Sequence, residues 1–450
     1  MQVTIISPAQ LSGQHMKVRV ATFVAIFLFY FITTNPFIDL VKLQSAGTDI
    51  VSGSNFLNQM TFLLITSLTI YAALNHPMRS QICQPRVLII ALLGWFFISS
   101  ALSNYPIDAI KRTILATLTF FNAGMFLLLP RSEEQFARLM LYGTAITLGV
   151  AYFGVVFLPR LSIHQAAEIV EPMNAGYWRG HYAHKNLTAA VMLQITFFGL
   201  YFRSAGWKKS GIVITVLAVF FLMHTGGKSS TAMLPMILVL QWIFERFRWT
   251  RWFIAVGGIA AFNTLILGAT LSSDFRSLVA SVGIDPTFTN RSDIWKIAFD
   301  AIAQSPILGY GFQGFWQTPD LTHSPAGLET WAVRAFNGHN AYVDTLLTTG
   351  IPGLLLALTL VILVPMRAIA RLDLVPPKND PALTRLFQRT WLCVLYSACL
   401  EAIFFQNGSP VFFVFLVSIF GLVLQSRMSL VKEPVVTREE SHGVFIQSQR

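Results

Sequence analysis

Long apolar runs alternate along the chain with short polar connections: Ala21 to Ile32, Val87 to Ala101, Ile114 to Leu129, Ile212 to Met223, Leu354 to Pro365 and Val411 to Leu424. A helix crossing the hydrocarbon core needs roughly 20 mostly apolar residues. A spanning barrel would instead alternate apolar and polar positions in segments of about ten residues. The runs are continuous, so they predict helices, at about 20–40, 56–74, 86–102, 113–130, 138–158, 186–203, 211–225, 229–246, 251–271, 342–366, 388–406 and 409–426. The expected fold is an all-α integral membrane protein with about twelve transmembrane helices.

Composition agrees. Of the 450 residues 54% are apolar and 12% charged, against roughly 25% charged in soluble domains. The formal net charge of +11 does not point to nucleic acid, because the basic residues sit in short loops rather than on one soluble face. With the N-terminus placed in the cytoplasm, 21 of the 32 Lys and Arg residues fall on the cytoplasmic side, as the positive-inside rule requires. Both termini are then cytoplasmic. Lys17 and Arg19 ahead of an apolar run resemble a signal peptide, but no small-residue cleavage site follows, so an uncleaved first helix is expected. Cys83, Cys393 and Cys399 have neither CxxC nor zinc spacing.

This orientation divides the chain into helices one to five (1–158), a periplasmic loop (159–185), helices six to nine (186–271), a large periplasmic catalytic loop (272–341), helices ten to twelve (342–427) and a polar, disordered cytoplasmic tail (428–450). Long loops in an otherwise economical membrane protein are usually functional. Within the second, Ile294, Trp295, Ala298, Phe299, Ala301 and Ile302 recur at helical spacing over Ser292 to Gln304, which predicts a short helix on the membrane surface.

Four outer motifs gather the chemistry. Trp178-Arg179-Gly180-His181-Tyr182-Ala183-His184-Lys185-Asn186 opens helix six, and Thr225-Gly226-Gly227-Lys228-Ser229-Ser230 turns between helices seven and eight. Asn290-Arg291-Ser292-Asp293-Ile294-Trp295 opens the surface helix, and Asn337-Gly338-His339-Asn340-Ala341-Tyr342 enters helix ten. Ser292 reads as an N-cap, and a helix N-terminus with Arg291 beside it suits phosphate oxygens; an arginine anchored to lipid headgroups is the bland alternative. Lys228 lies in a turn that can present N–H groups to an anion, or is a snorkelling lysine. It is not in a Walker A loop, because Leu222 stands where that motif needs glycine. His181 and His184 lack a third zinc ligand and are expected to make interfacial hydrogen bonds. His339 is a candidate on the strength of its imidazole, a group suited to proton transfer, and taken alone it would more often be structural. Glu401, an acid expected inside helix eleven, is a functional candidate whose simplest role is to pair with an outer cation. Asp344 and Glu329 are weaker candidates.

Taken in order, Gly-Gly-Lys-Ser-Ser, Asn-Arg-Ser-Asp-Ile-Trp, Pro306-Ile307-Leu308-Gly309-Tyr310-Gly311 and His339-Asn340 with Gly350-Ile351-Pro352-Gly353-Leu354 resemble the O-antigen ligase and polysaccharide polymerase superfamily, over roughly residues 180 to 365. The resemblance implies a GT-C-like glycosyltransferase of the bacterial inner membrane. Its donors are glycans on undecaprenyl pyrophosphate at the periplasmic face, and no nucleotide sugar, cofactor or metal is needed. Carried over, Arg291 and Lys228, with Arg179 in addition, would bind pyrophosphate. His339 would be the general base, and Asn340, His184 and Glu401 would support it. Many ligases have Arg where this chain has Lys228. A Lys beside Ser is similar to succinoglycan-type polymerases and favours a polymerase over an O-antigen ligase that uses lipid A core as acceptor. Expected partners are the lipid-linked donor and acceptor, membrane lipids, and flippase and chain-length regulator proteins, with no nucleic acid. A transporter of the same lipids is the rival from another class. Such proteins tend to place polar residues at the midplane and to show internal repeats, whereas here the polar residues gather outside.

Overall fold

The computed structural model describes residues 13–45, 56–281, 283, 288, 291–323, 330–374 and 381–427. The tail after Met428, Asn290 and Glu329 lie outside the described residues. The chain is helical: α1 (Gly13–Ile32), α2 (Leu40–Ser45), α3 (Phe56–Leu74), α4 (Arg86–Ala101), α5 (Pro106–Phe126), α6 (Glu133–Phe157), α7 (Pro159–Ser162), α8 (Lys185–Ser204), α9 (Lys208–His224), α10 (Lys228–Arg246), α11 (Ile259–Leu271), α12 (Ser273–Ser281), α13 (Arg291–Gln304), α14 (Pro319–Thr322), α15 (Ala341–Leu358), α16 (Val364–Leu372), α17 (Pro381–Ser397) and α18 (Pro410–Arg427). Every apolar segment of the sequence analysis holds a helix. Among the described residues, six helical stretches are long and apolar enough to cross a membrane: Phe56–Leu74, Glu133–Phe157, Lys185–Ser204, Arg248–Leu271, Ala341–Leu372 and Pro410–Arg427.

The middle of the bundle is α18. It is apolar on every face, so it must be enclosed by protein rather than present one stripe to it; all its residues from Pro410 to Gln425 are buried. It packs on α17, α16 and α5, and α17 in turn packs on α8 and α10. Aromatic rings fill the centre. Tyr30 stacks on Phe413 at 4.1 Å and Phe404 on Phe415 at 5.6 Å.

Three local features depart from the sequence expectation. First, α17 ends at Ser397, so Glu401 stands not inside a helix but in the irregular connection 398–409. Second, the helix expected on the membrane surface is docked into the protein. Ile294, Ala298 and Ala301 of α13 are buried against Phe315, Trp316, Val343 and Leu347, so its apolar stripe is consumed by protein. Third, α15 is broken at Gly350, whose φ is +66°. The break receives the 306–311 segment: Ile351 N donates to Pro306 O at 2.9 Å, and Tyr310 N to Leu347 O at 3.1 Å. From α4, Trp95 Nε1 donates to Thr349 O at 2.7 Å and Ser99 Oγ to Leu308 O at 2.7 Å. Two motifs some 40 residues apart in sequence thus form one joint, and the glycines are there because the backbones touch.

A Cβ at Gly350 would lie 1.9 Å from Ile307 O, on a left-handed backbone. Gly350→Ala is therefore expected to cost roughly 2–4 kcal/mol from strain and overpacking together. Gly94→Ala, where a Cβ meets nothing within 4 Å, should be nearly neutral. Thermal unfolding of both variants in detergent checks this, and equal melting temperatures would contradict it.

Candidate active site

The connection 398–409 enters an apolar bundle with backbone groups that no helix satisfies, and such groups must find partners. They find them in the motifs. Ala341 N donates to Ala398 O at 2.8 Å. Asn340 Nδ2 donates to Cys399 O at 2.9 Å and to Asn263 Oδ1 at 2.7 Å. The Arg291 guanidinium donates to Leu400 O. Gln313 Nε2 donates to Phe405 O at 2.6 Å, and in the other direction the Asn407 side chain donates Nδ2–H to the backbone carbonyl of Arg112 at 3.0 Å.

This lacing carries Glu401 between Arg291 and His339. Arg291 Nη2 is 2.8 Å from Glu401 Oε1, and His339 Nδ1 is 3.3 Å from Glu401 Oε2. Burial pushes the Glu401 carboxyl up, but the charge of Arg291 and the hydrogen bond and charge of His339 outweigh it and hold the pKa at about 2. In the neutral tautomer that donates Nδ1–H to Glu401, the basic electron pair of His339 is on Nε2, the arrangement an oriented general base requires.

His339 itself is fixed by its turn. Its φ is +45°, and its N–H donates to Asn337 Oδ1 at 3.0 Å. Asp344 Oδ1 accepts from Gly338 N at 2.9 Å and from Trp316 Nε1 at 2.8 Å, and Trp295 Nε1 donates to Gly338 O at 2.8 Å. Asn340 is fully buried and caps α15, its Oδ1 accepting from Tyr342 N and Val343 N at 3.1 Å each.

Beside Glu401 opens a cavity of about 430 Å³. The first turns of α8 (Asn186), α10 (Ser229, Ser230) and α18 (Pro410) line it, as do Gly227 and Asn337. Converging helix N-termini favour an anion. Lys228 is the first residue of α10 and is exposed beside this wall. Gln194 and Asn407 also line the cavity, and each has a buried amide oxygen without a hydrogen-bond partner. The two glycines of the Lys228 motif permit close packing: a Cβ at Gly226 would meet the Tyr177 ring at 2.2 Å, and one at Gly227 would meet Ala189 Cβ at 2.4 Å.

Arg291, His339, Asn340 and Glu401 thus share one network, and Lys228 flanks the adjoining cavity. Arg291 is the first residue of α13 rather than the residue before an N-cap, so Ser292 does not cap that helix. Arg179 and His184 do not join. Arg179 is 1% exposed; its guanidinium donates to Tyr182 O at 3.0 Å and Ile38 O at 2.7 Å, which pins the 159–185 loop to the segment after α1. Its Nε is buried without a hydrogen-bond partner. His184 is the N-cap of α8, and its Nε2 is 2.7 Å from Glu171 Oε2. His181 is buried with Nε2 on Phe31 O at 2.8 Å, and burial pushes its pKa down to about 4. Among the described residues no group of three or more His, Cys, Asp or Glu could hold a metal. Sequence reasoning missed Asn263 and Gln194, and named Asn337 only as part of its motif. Polar residues in apolar helices were the available signal for Asn263 and Gln194.

Fold and site together define an integral membrane protein with a polar centre laced around an interhelical connection. Residues 213–358, which include Lys228, Arg291 and His339, match the O-antigen ligase family model. The chain is also 25% identical over 190 residues to the exopolysaccharide production protein ExoQ of Rhizobium meliloti (strain 1021), covering 42% of this chain and 38% of that protein. The similarity to the O-antigen ligase and polysaccharide polymerase superfamily therefore rests on the motifs, the family model and this relative together.

Glu401 has a depressed pKa, so its contribution to stability is fully present above the unfolded carboxylate value of about 4.5 and is lost as pH falls through about 2. Glu401→Gln should therefore unfold more readily than wild type by a margin that is full above about pH 4.5 and shrinks progressively from there down to about pH 2. Melting curves across that range check it; a margin already gone at pH 4.5 would mean that Arg291 and His339 do not hold the carboxylate.

Proposed function

We propose that this chain is a membrane glycosyltransferase that polymerises undecaprenyl-pyrophosphate-linked oligosaccharide repeat units into exopolysaccharide. Twelve helices span the bacterial inner membrane, both termini are cytoplasmic, and the site faces the periplasm. The observation that carries this reading is the Arg291–Glu401–His339 network at the edge of a cavity lined by three helix N-termini. The family match and the relative's printed role in exopolysaccharide production support it.

The chemistry follows from the residues. An acceptor sugar hydroxyl gives its proton to His339 Nε2 as its oxygen bonds to the anomeric carbon of the donor glycan. The bond from that carbon to the pyrophosphate oxygen breaks, and the electron pair leaves with the pyrophosphate. Arg291, Lys228 and the N-termini of α8 and α10 stabilise the charge that builds there, where preorganised dipoles act most strongly. Glu401 already occupies Arg291, so an arriving pyrophosphate competes with a carboxylate for the same guanidinium. Glu401 then remains as the partner that orients His339. Neither donor activation nor proton transfer requires a metal in this scheme. An O-antigen ligase would use the same residues with a different acceptor.

The test is the protein in nanodiscs with undecaprenyl-pyrophosphate repeat units and EDTA, read as glycan length and released lipid pyrophosphate. Wild type should extend the glycan. His339→Ala and Arg291→Ala should each slow extension about 10²-fold or more, the lower bound for a lost acid–base group. Extension only on addition of lipid A core would move the reading to ligase. Undiminished extension by either variant would refute the assignment of these residues.

A further inference from the structure

A second cavity, of about 300 Å³, is lined by Asn337 and Asp344, which flank His339 in sequence. It shares Asn337 and Gln406 with the first cavity, and Asn337 is the residue whose side chain holds His339 N. The two cavities differ in chemistry. Among the described residues, α15 is the one helix of eight residues or more whose first turn lines the second cavity, and Asn340 already caps it. Arg112, its one lining cation, donates to Gln313 O. A pyrophosphate has little to select there.

The rest of the wall combines aromatic faces with amides and hydroxyls. Phe336 is 58% exposed although it belongs to a turn between well-packed segments. Trp316 is locked by its bond to Asp344. Gln313 and Gln317 both adopt left-handed backbone, with φ of +53° and +63°, a conformation that non-glycine residues hold only where the surroundings impose it. Each fixes its amide nitrogen on a backbone carbonyl: Gln313 on Phe405 O at 2.6 Å, and Gln317 on Arg334 O at 2.5 Å and Ala335 O at 3.1 Å. Among the described residues neither amide oxygen has a hydrogen bond. An exposed ring beside preoriented acceptors matches a ligand with one apolar face and a rim of hydroxyl donors, that is, a sugar ring.

We infer that this cavity is the acceptor-sugar subsite, which presents a glycan hydroxyl to His339 across Asn337 while the donor occupies the cavity on the Glu401 side. The inference rests on the transferase reading but is tested without turnover. The probe is the free oligosaccharide released by mild acid from the lipid-linked units that accumulate when this chain is deleted from its bacterium. It lacks pyrophosphate and cannot act as donor. Its binding to the full chain in nanodiscs is measured by saturation-transfer NMR and calorimetry.

Wild type should bind the probe. Phe336→Ala and Gln317→Ala should each weaken binding by up to about tenfold, the scale of one aromatic contact; both side chains are exposed, so folding is little affected. Arg291→Ala should keep wild-type affinity for the probe while losing transfer. No binding by wild type, or equal binding by wild type and Phe336→Ala, would overturn the subsite. Transfer retained in Arg291→Ala would instead overturn the functional reading, and the probe-binding comparison would still decide the subsite.

Discussion

The constraint on which the rest of the structure depends is the need to satisfy the backbone of the connection 398–409 inside an apolar bundle. Water is scarce there, and an unpaired buried carbonyl is costly. The carbonyls of Ala398, Cys399, Leu400 and Phe405 each receive a donor from a distant segment: Ala341, Asn340, Arg291 and Gln313. Those donors belong to the segments that carry the candidate chemistry. His339 and Arg291 therefore come together as a consequence of closing the fold, and Glu401, which follows Leu400, falls between them.

Charge balance explains why the arrangement is tolerated. An isolated carboxylate among packed helix ends would be protonated or expelled. Glu401 instead has Arg291 on one oxygen and His339 on the other, which keeps it ionised. The same pairing neutralises Arg291. The unopposed attraction for an anion then comes from Lys228 and the helix N-termini around the larger cavity. In the proposed mechanism phosphate binding and base orientation are linked through one carboxylate, and removing it would disturb both.

The helical segments were legible in the sequence because continuous apolar runs leave few alternatives, and each holds a helix. The candidate residues were legible one by one through short motifs. Their assembly was not. Glu401 lies 110 residues from Arg291 and 62 from His339, and no local pattern reports such pairs. The extent of α17 was misread because the residues after Ser397 are apolar enough to continue a helix, whereas the lacing of their carbonyls ends it. The posture of α13 was misread for a related reason: an apolar stripe has the same period whether lipid or Leu347 and Trp316 cover it. Arg179 looked like a free outer cation because its partners, the carbonyls of Ile38 and Tyr182, are invisible to side-chain reasoning. The Gly309 and Gly350 motifs, by contrast, were conspicuous because a close backbone contact forbids every side chain.

The most direct measurement of the central claim is an electron cryomicroscopy structure of the protein in nanodiscs with a non-transferable undecaprenyl-pyrophosphate glycan. The account predicts phosphate density in the cavity between Asn186, Ser230 and Glu401, with Arg291 and Lys228 turned toward it. His339 should then lie within hydrogen-bond reach of the space beside the anomeric carbon. Phosphates bound elsewhere, with the Arg291–Glu401–His339 network undisturbed and remote from the glycan, would contradict it.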